Sequence, residues 1–125
     1  VEPHVGGLLK SPNTCLEFID AVPGLKLTLD YAHFACMGFP HTEIDPLARH
    51  AAHVHMRQAR PGALQAKLAE GTLDFVAMVE TLRSVDFEGF LSIEYVHQNY
   101  MNTLFDDVLT ETIQMRNLLQ ECGVI

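Results

Sequence analysis

The amino-acid sequence predicts an α/β fold, a (β/α)8 barrel of which this chain supplies roughly the C-terminal half. Segments of alternating polarity, typical of strands, are separated by segments of helical periodicity, and this order is typical of parallel β-α-β units. Each predicted strand has one apolar face, while its other face becomes polar towards the carboxyl end, as expected for a barrel with a polar mouth. A complete barrel takes about 250 residues, so we assign residues 1–125 to one domain containing strands 5–8 and their helices.

The first half of the chain is divided by clear start and stop signals. Ser11 followed by Pro12 is typical of a helix start, and apolar residues then recur at helical spacing until Pro23. Glycine and proline interrupt the stretch after the first strand, which therefore predicts a loop. In chain order, the predicted elements are a helix at 12–22, a strand at 25–30, a loop at 31–42, a short helix at 44–50 and a strand at 52–56.

The second half repeats the pattern of helix and strand. Thr72 is a suitable N-cap for a helix, and Asp74 would lie in its first turn, where negative charge is favoured. Gly89 turns the chain into a third strand of alternating polarity at 90–96. A final helix is predicted at 103–121.

Composition excludes several classes of protein. The chain carries 8 Lys and Arg against 16 Asp and Glu, a net charge of −8, which disfavours binding to nucleic acid. It contains no apolar run of the ~18 residues that a membrane span needs. Its 3 cysteines are widely spaced and favour reduced thiols in the cytoplasm. Because the sequence begins at Val1 without an initiator Met or a signal segment, we interpret Val1 as an internal position.

Acidic and histidine side chains are predicted at the carboxyl ends of successive strands. Asp30, His55 and Glu94 each end a strand on its interior face, and Glu2 lies one β-α unit before Asp30. Three carboxylates beside one imidazole repel each other unless a counter-charge is present. We therefore predict a divalent cation at this point. The oxygen-rich set favours Mn²⁺, Mg²⁺ or Co²⁺ over Zn²⁺.

These residues also resemble a known family. Glu2 in VEPH, Asp30 and His33 in LDYAH, His55 in HVHM and Glu94 in SIEY resemble the C-terminal half of the xylose-isomerase-like TIM-barrel superfamily. The likeness is greatest to its sugar epimerase and hydroxypyruvate-isomerase branches and extends over essentially the whole chain. It implies an isomerase or epimerase with a small-molecule sugar or hydroxy-keto substrate.

The resemblance also implies roles for individual residues. Glu2, Asp30, His55 and Glu94 would ligate the metal. Glu2 and Glu94 would also be catalytic, one removing a proton from the substrate carbon and the other returning it, by way of an enediolate stabilised by the metal.

Substrate contacts are implied at three further positions. His33 would contact the substrate through its place in the D-x-x-H pattern. An arginine that follows the histidine of the seventh strand binds substrate oxygens in this family, and both Arg57 and Arg60 follow His55. Arg57 shares the interior face with His55, which favours it on geometry.

Alternative functions remain open at this stage. One is a non-catalytic domain that binds metal or sugar through a retained barrel mouth. A second is an abasic-site endonuclease, which the acidic composition disfavours and for which the D-x-H pair expected around 66–74 is missing. Half a barrel leaves strand edges open, so we expect this chain to form a homo-oligomer or to associate with an N-terminal half. We expect the isolated 125 residues to be inactive.

Overall fold

The computed structural model of this protein describes residues 1–99, 103 and 107–124. Three strands form one parallel sheet in the order β1 (Leu27–Asp30), β2 (Ala51–Met56) and β3 (Phe90–Ile93). The predicted α/β fold with a parallel sheet is therefore confirmed.

The sheet register brings the carboxyl ends of the strands level. Asp30, the last residue of β1, pairs with His55 of β2, and His55 pairs in turn with Ser92 of β3. The last ladder bond is donated by the backbone N–H of Glu94 to the carbonyl of Met56, at 3.1 Å. Three of the predicted ligands therefore lie at one end of the sheet.

The first residues of the chain continue this sheet beyond β1. The amino group of Val1 donates to the carbonyl of Lys26 at 2.8 Å, and the N–H of Thr28 donates to the carbonyl of Val1 at 2.9 Å. Two bonds from one residue to the neighbours on either side of Leu27 are the pattern of a parallel ladder. Glu2 is thus carried to the same end of the sheet as Asp30.

Helices cover the apolar face of the sheet. Three of them are α1 (Pro12–Ala21), α4 (Phe75–Ser84) and α5 (Val108–Glu121). Further helical segments lie between β1 and β2. On β1 and β2 the side chains of this face are fully buried, and they are Leu27, Leu29, Val54 and Met56, whereas those of β3 are partly buried. Burying apolar side chains of this size contributes about 1.5–3 kcal/mol each, so this layer fixes the sheet that carries the site.

The region after β1 differs from the prediction. Residues 31–42 were expected to form a loop, but they contain α2 (Tyr31–Cys36) and the start of α3 (His41–Ile44). Every residue of α2 is buried, so the segment lacks the polar face that would mark a helix in the sequence. The short helix expected at 44–50 is a 3-10 helix over Asp45–His50.

Several element boundaries also differ. The strands predicted at 25–30 and 90–96 are shorter, because the chain leaves the sheet before Leu27 and after Ile93. Asp74 and not Thr72 caps α4, since the Asp74 carboxylate accepts from the N–H of Ala77 at 3.0 Å. Thr103 lies outside α5, and residues 104–106 of the predicted last helix are outside the described residues.

The described part of the chain contains no helix that is long and apolar enough to cross a membrane. Its three cysteines are free thiols, two of them buried: Cys15, Cys36 and Cys122.

Candidate metal centre

Four side chains converge at the carboxyl end of the sheet. Each of Glu2, Asp30, His55 and Glu94 offers one ligand atom, and these atoms all lie within 4.8 Å of one another. The Nδ1 atom of His55 is 3.1 Å from Glu2 Oε1 and 3.1 Å from Glu94 Oε2. The structure therefore brings together the four residues that the sequence predicts as metal ligands.

Asp30 is held rigidly by two different partners. Its Oδ1 accepts from the N–H of Ala32 at 2.8 Å and caps α2, and its Oδ2 accepts from Arg57 Nη2 at 2.5 Å. The side chain is fully buried. Burial raises the pKa of Asp30, and the neighbouring charge of Arg57 opposes that rise.

Glu94 presents a buried oxygen that lacks a hydrogen bond in the described part of the chain. Its Oε2 lies 3.1 Å from His55 Nδ1 and 3.3 Å from Arg57 Nη2, but neither contact has hydrogen-bond geometry. A buried carboxylate oxygen without a donor costs free energy. A cation at the point where the four ligands converge would satisfy this oxygen.

His33 lies against this group and is neutral. Its Nδ1 accepts from the N–H of Val5 at 3.2 Å, so we assign its proton to Nε2. Burial lowers the pKa of His33 to about 3. Its Nε2 lies 3.9 Å from Glu2 Oε1 and 3.7 Å from Asp30 Oδ2. The structure thus places an N–H donor beside the ligands, while the substrate contact of His33 stays a prediction.

The two candidate arginines lie in different environments. Arg57 is buried and contacts two of the four predicted ligands, Asp30 and Glu94. Arg60 is exposed on a turn in which it forms an isolated β-bridge with Ala63. Contact of either arginine with a substrate stays a prediction, but Arg57 has a structural partner that the sequence does not reveal.

The four residues fit a divalent cation. Three carboxylates and the charge of Arg57 leave a net charge of −2 that a divalent ion would neutralise. Metal–ligand bonds of about 2.0–2.2 Å set opposite ligands about 4 Å apart, so the observed atoms need to close by less than about 1 Å. The donor set of three oxygens and one nitrogen suits Mn²⁺, Mg²⁺ or Co²⁺.

Comparison with known proteins agrees with this architecture. A family model described as xylose isomerase-like TIM barrel matches residues 1–121. The chain belongs to this family. The fold of this chain is similar to that of a solved structure described as a D-tagatose 3-epimerase-like protein, with a TM-score of 0.63 and 19% sequence identity. That match covers 98% of this chain and 45% of the other, so this chain spans less than half the length of that relative. No curated protein matches the sequence.

Two buried glutamines in the segment after β2 carry no sequence signal of their own. Gln58 binds the backbone of the segment after β2 at Ala59, Leu68 and Leu73. Gln65 binds the backbone of Val96. Glutamine is mostly an exposed residue, so burial at these positions could not be foreseen from the residue type.

Proposed function

We propose that this protein is a metal-dependent isomerase or epimerase of a small sugar or hydroxy-keto acid. Membership of the xylose isomerase-like family favours sugar isomerisation or epimerisation as the general class. The observation that carries the proposal is the convergence of Glu2, Asp30, His55 and Glu94 within 4.8 Å. The net charge of −8 supports a small-molecule partner over nucleic acid, and the three free thiols support a cytoplasmic location.

In this proposal Glu2, Asp30, His55 and Glu94 hold a divalent cation. When bound, the cation supplies a Lewis acid that stabilises the negative charge of an enediolate. Asp30 is the most constrained of the four, because Ala32 and Arg57 fix both of its oxygens.

The two glutamates carry out the proton transfers. Glu2 and Glu94 both approach Nδ1 of His55, and the exposed fraction of each side chain is about one third, 34% and 35%. A substrate at the mouth can therefore reach both carboxylates. One removes the proton beside the carbonyl and the other returns it, while the Nε2–H of His33 donates to a substrate oxygen.

We expect the chain to bind Mn²⁺, and removal of His55 to abolish the site. Loss of a residue that only supports a metal ligand typically lowers metal affinity by about 10–100-fold. Because His55 is itself a proposed ligand, His55→Ala should weaken Mn²⁺ binding by more than this. The measurement is isothermal titration of the chain after EDTA treatment and dialysis. His53→Ala is the matched control, because His53 lies on the same strand, with its ring 5.3 Å from that of His55, but is not among the four ligands.

A wild-type chain that does not bind Mn²⁺, or equal affinity of both histidine variants, would contradict the proposed site. Binding of Mn²⁺ without metal-dependent exchange of the substrate's carbon-bound proton in D2O would favour the non-catalytic alternative.

We also propose that residues 1–125 are the C-terminal half of a (β/α)8 barrel. In the described part of the chain no strand pairs with the outer edge of β3, and Phe90 on that strand is 78% exposed. On the opposite side, a groove of about 550 Å³ between the first residues and α1 is lined by Leu8, Leu9 and Phe18. Four further β-α units would cover both sides.

The 125-residue chain alone is therefore expected to associate. Unpaired strand edges and exposed apolar side chains favour pairing with a second half, from another copy or from an N-terminal segment. Sedimentation equilibrium should give a mass above 14.0 kDa. A 14.0 kDa monomer that unfolds cooperatively would contradict this expectation.

A further inference from the structure

The side-chain amide of Gln65 binds both backbone groups of one residue at the mouth. Its Nε2 donates to the carbonyl of Val96 at 2.8 Å, and its Oε1 accepts from the N–H of Val96 at 2.9 Å. Gln65 is 2% exposed, and its Nε2 also lies 3.5 Å from the carbonyl of Thr103. A buried amide with donor and acceptor both satisfied on one residue acts as a fixed clamp.

This clamp holds the segment that carries Glu94. β3 ends at Ile93, and the N–H of Glu94 donates one further backbone hydrogen bond to the carbonyl of Met56 in β2. Two residues further on, the Gln65 amide takes the place that a neighbouring strand would occupy beside Val96. The chain is therefore attached at the N–H of Glu94 itself and again two residues later, at Val96.

The attachment matters because two carboxylates repel Glu94 within its own site, and Arg57, whose Nη2 lies 3.3 Å from Glu94 Oε2, also binds Asp30 and offsets only one of those charges. The Oε2 of Glu94 is buried without a hydrogen bond, and Glu2 and Asp30 lie in the same four-residue group. Like charges at this spacing favour a swing of the carboxylate towards water. A fixed backbone does not stop rotation of the Glu94 side chain, but it keeps the Cα of Glu94 at the mouth, so the carboxylate stays within reach of the site before the cation arrives.

We propose that Gln65 is a positioning residue that holds Glu94 in the geometry of the metal centre. This inference rests on the proposed metal site. It assigns to Gln65 an effect on metal affinity that acts through the backbone, without contact with metal or substrate.

The experiment compares two buried glutamines of the same segment. Gln65→Leu removes the clamp on Val96, whereas Gln58→Leu removes side-chain bonds to Ala59, Leu68 and Leu73 and keeps the backbone group of Gln58 that contacts Tyr95. Both variants lose buried hydrogen bonds, so both should lower the unfolding temperature. Isothermal titration with Mn²⁺ should show an affinity about 10–100-fold lower for Gln65→Leu, in the range for outer-shell partners, and wild-type affinity for Gln58→Leu.

Amide hydrogen exchange provides a second readout. In the metal-free chain the N–H of Val96 should exchange faster in Gln65→Leu than in wild type and Gln58→Leu. Gln65→Met, whose side chain has the same length, is the second variant if the leucine variant does not fold. Failure of both variants to fold would assign Gln65 to the core and overturn the inference.

The two hypotheses fail in different ways. No Mn²⁺ binding by the wild type would contradict the proposed metal site. Binding by the wild type with equal affinity in Gln65→Leu would leave the metal site intact and overturn the role of Gln65.

Discussion

Replacing Glu94 with glutamine is expected to slow proton exchange at the substrate carbon by about 10²–10⁴-fold while the metal stays bound. Glutamine keeps one oxygen that can ligate the cation, but it cannot take up a proton at the pH of the assay. The measurement is deuterium incorporation beside the carbonyl of the proposed sugar or hydroxy-keto substrate, with Mn²⁺ in D2O. It is made on this chain together with the N-terminal half that we propose.

Glu111→Gln is the matched control for this prediction. Glu111 is buried, whereas the Glu94 side chain is 35% exposed; Glu111 Oε2 accepts from the N–H of Leu68, and Glu111 is not among the four converging residues. The same substitution there should cost stability without slowing exchange. An active Glu94→Gln variant with normal metal content would contradict the role of Glu94 in proton transfer.

Replacing Arg57 with methionine is expected to destabilise the metal-free chain by about 3–5 kcal/mol. The change leaves the carboxylate of Asp30, which is fully buried, without the guanidinium that binds its Oδ2. A domain is typically stable by about 5–15 kcal/mol, so this loss is large. The free energy of unfolding is measured by urea titration in the presence of EDTA.

A second substitution separates the effect of the buried Asp30 charge on stability from the effect of lost packing. Adding Asp30→Asn to Arg57→Met removes the buried charge and should restore part of the lost stability, because asparagine can still cap α2. Arg60→Met is the control, since Arg60 is exposed and a surface change of this kind costs less than about 0.5 kcal/mol. Equal losses for Arg57→Met and Arg60→Met would show that the Arg57 contact contributes nothing to stability.

The ligand group could be predicted from sequence because parallel strands impose a simple rule. Their carboxyl ends meet at one edge, so Asp30, His55 and Glu94 could be placed together from strand position alone. The place of Glu2 could be predicted because it lies one β-α unit before Asp30. The backbone hydrogen bonds of Val1 to Lys26 and Thr28 place Glu2 beside β1. The prediction of which segments form strands was correct, because alternating polarity identifies a strand even when its ends are misplaced by two or three residues.

The parts that were missed depend on contacts between distant segments. The helix α2 is buried on every side, so periodicity does not reveal it. Arg57 was recognised as part of the mouth, but its bond to Asp30 depends on how β1 and β2 face each other. Gln65 reaches Val96 across 31 residues, and no local pattern indicates which backbone a buried amide will bind.

The Asp30 carboxylate caps the start of α2 with one oxygen, and its other oxygen faces the proposed cation site. These two roles restrict which residues can replace aspartate at this position. Glutamate would supply a ligand but is not among the residues favoured as helix caps, while serine and asparagine would cap the helix without a negative charge. A lineage that changed its metal or lost its chemistry would therefore alter Glu2 or Glu94 before Asp30. Aspartate at this position should therefore be retained for the fold even where the proposed activity is lost.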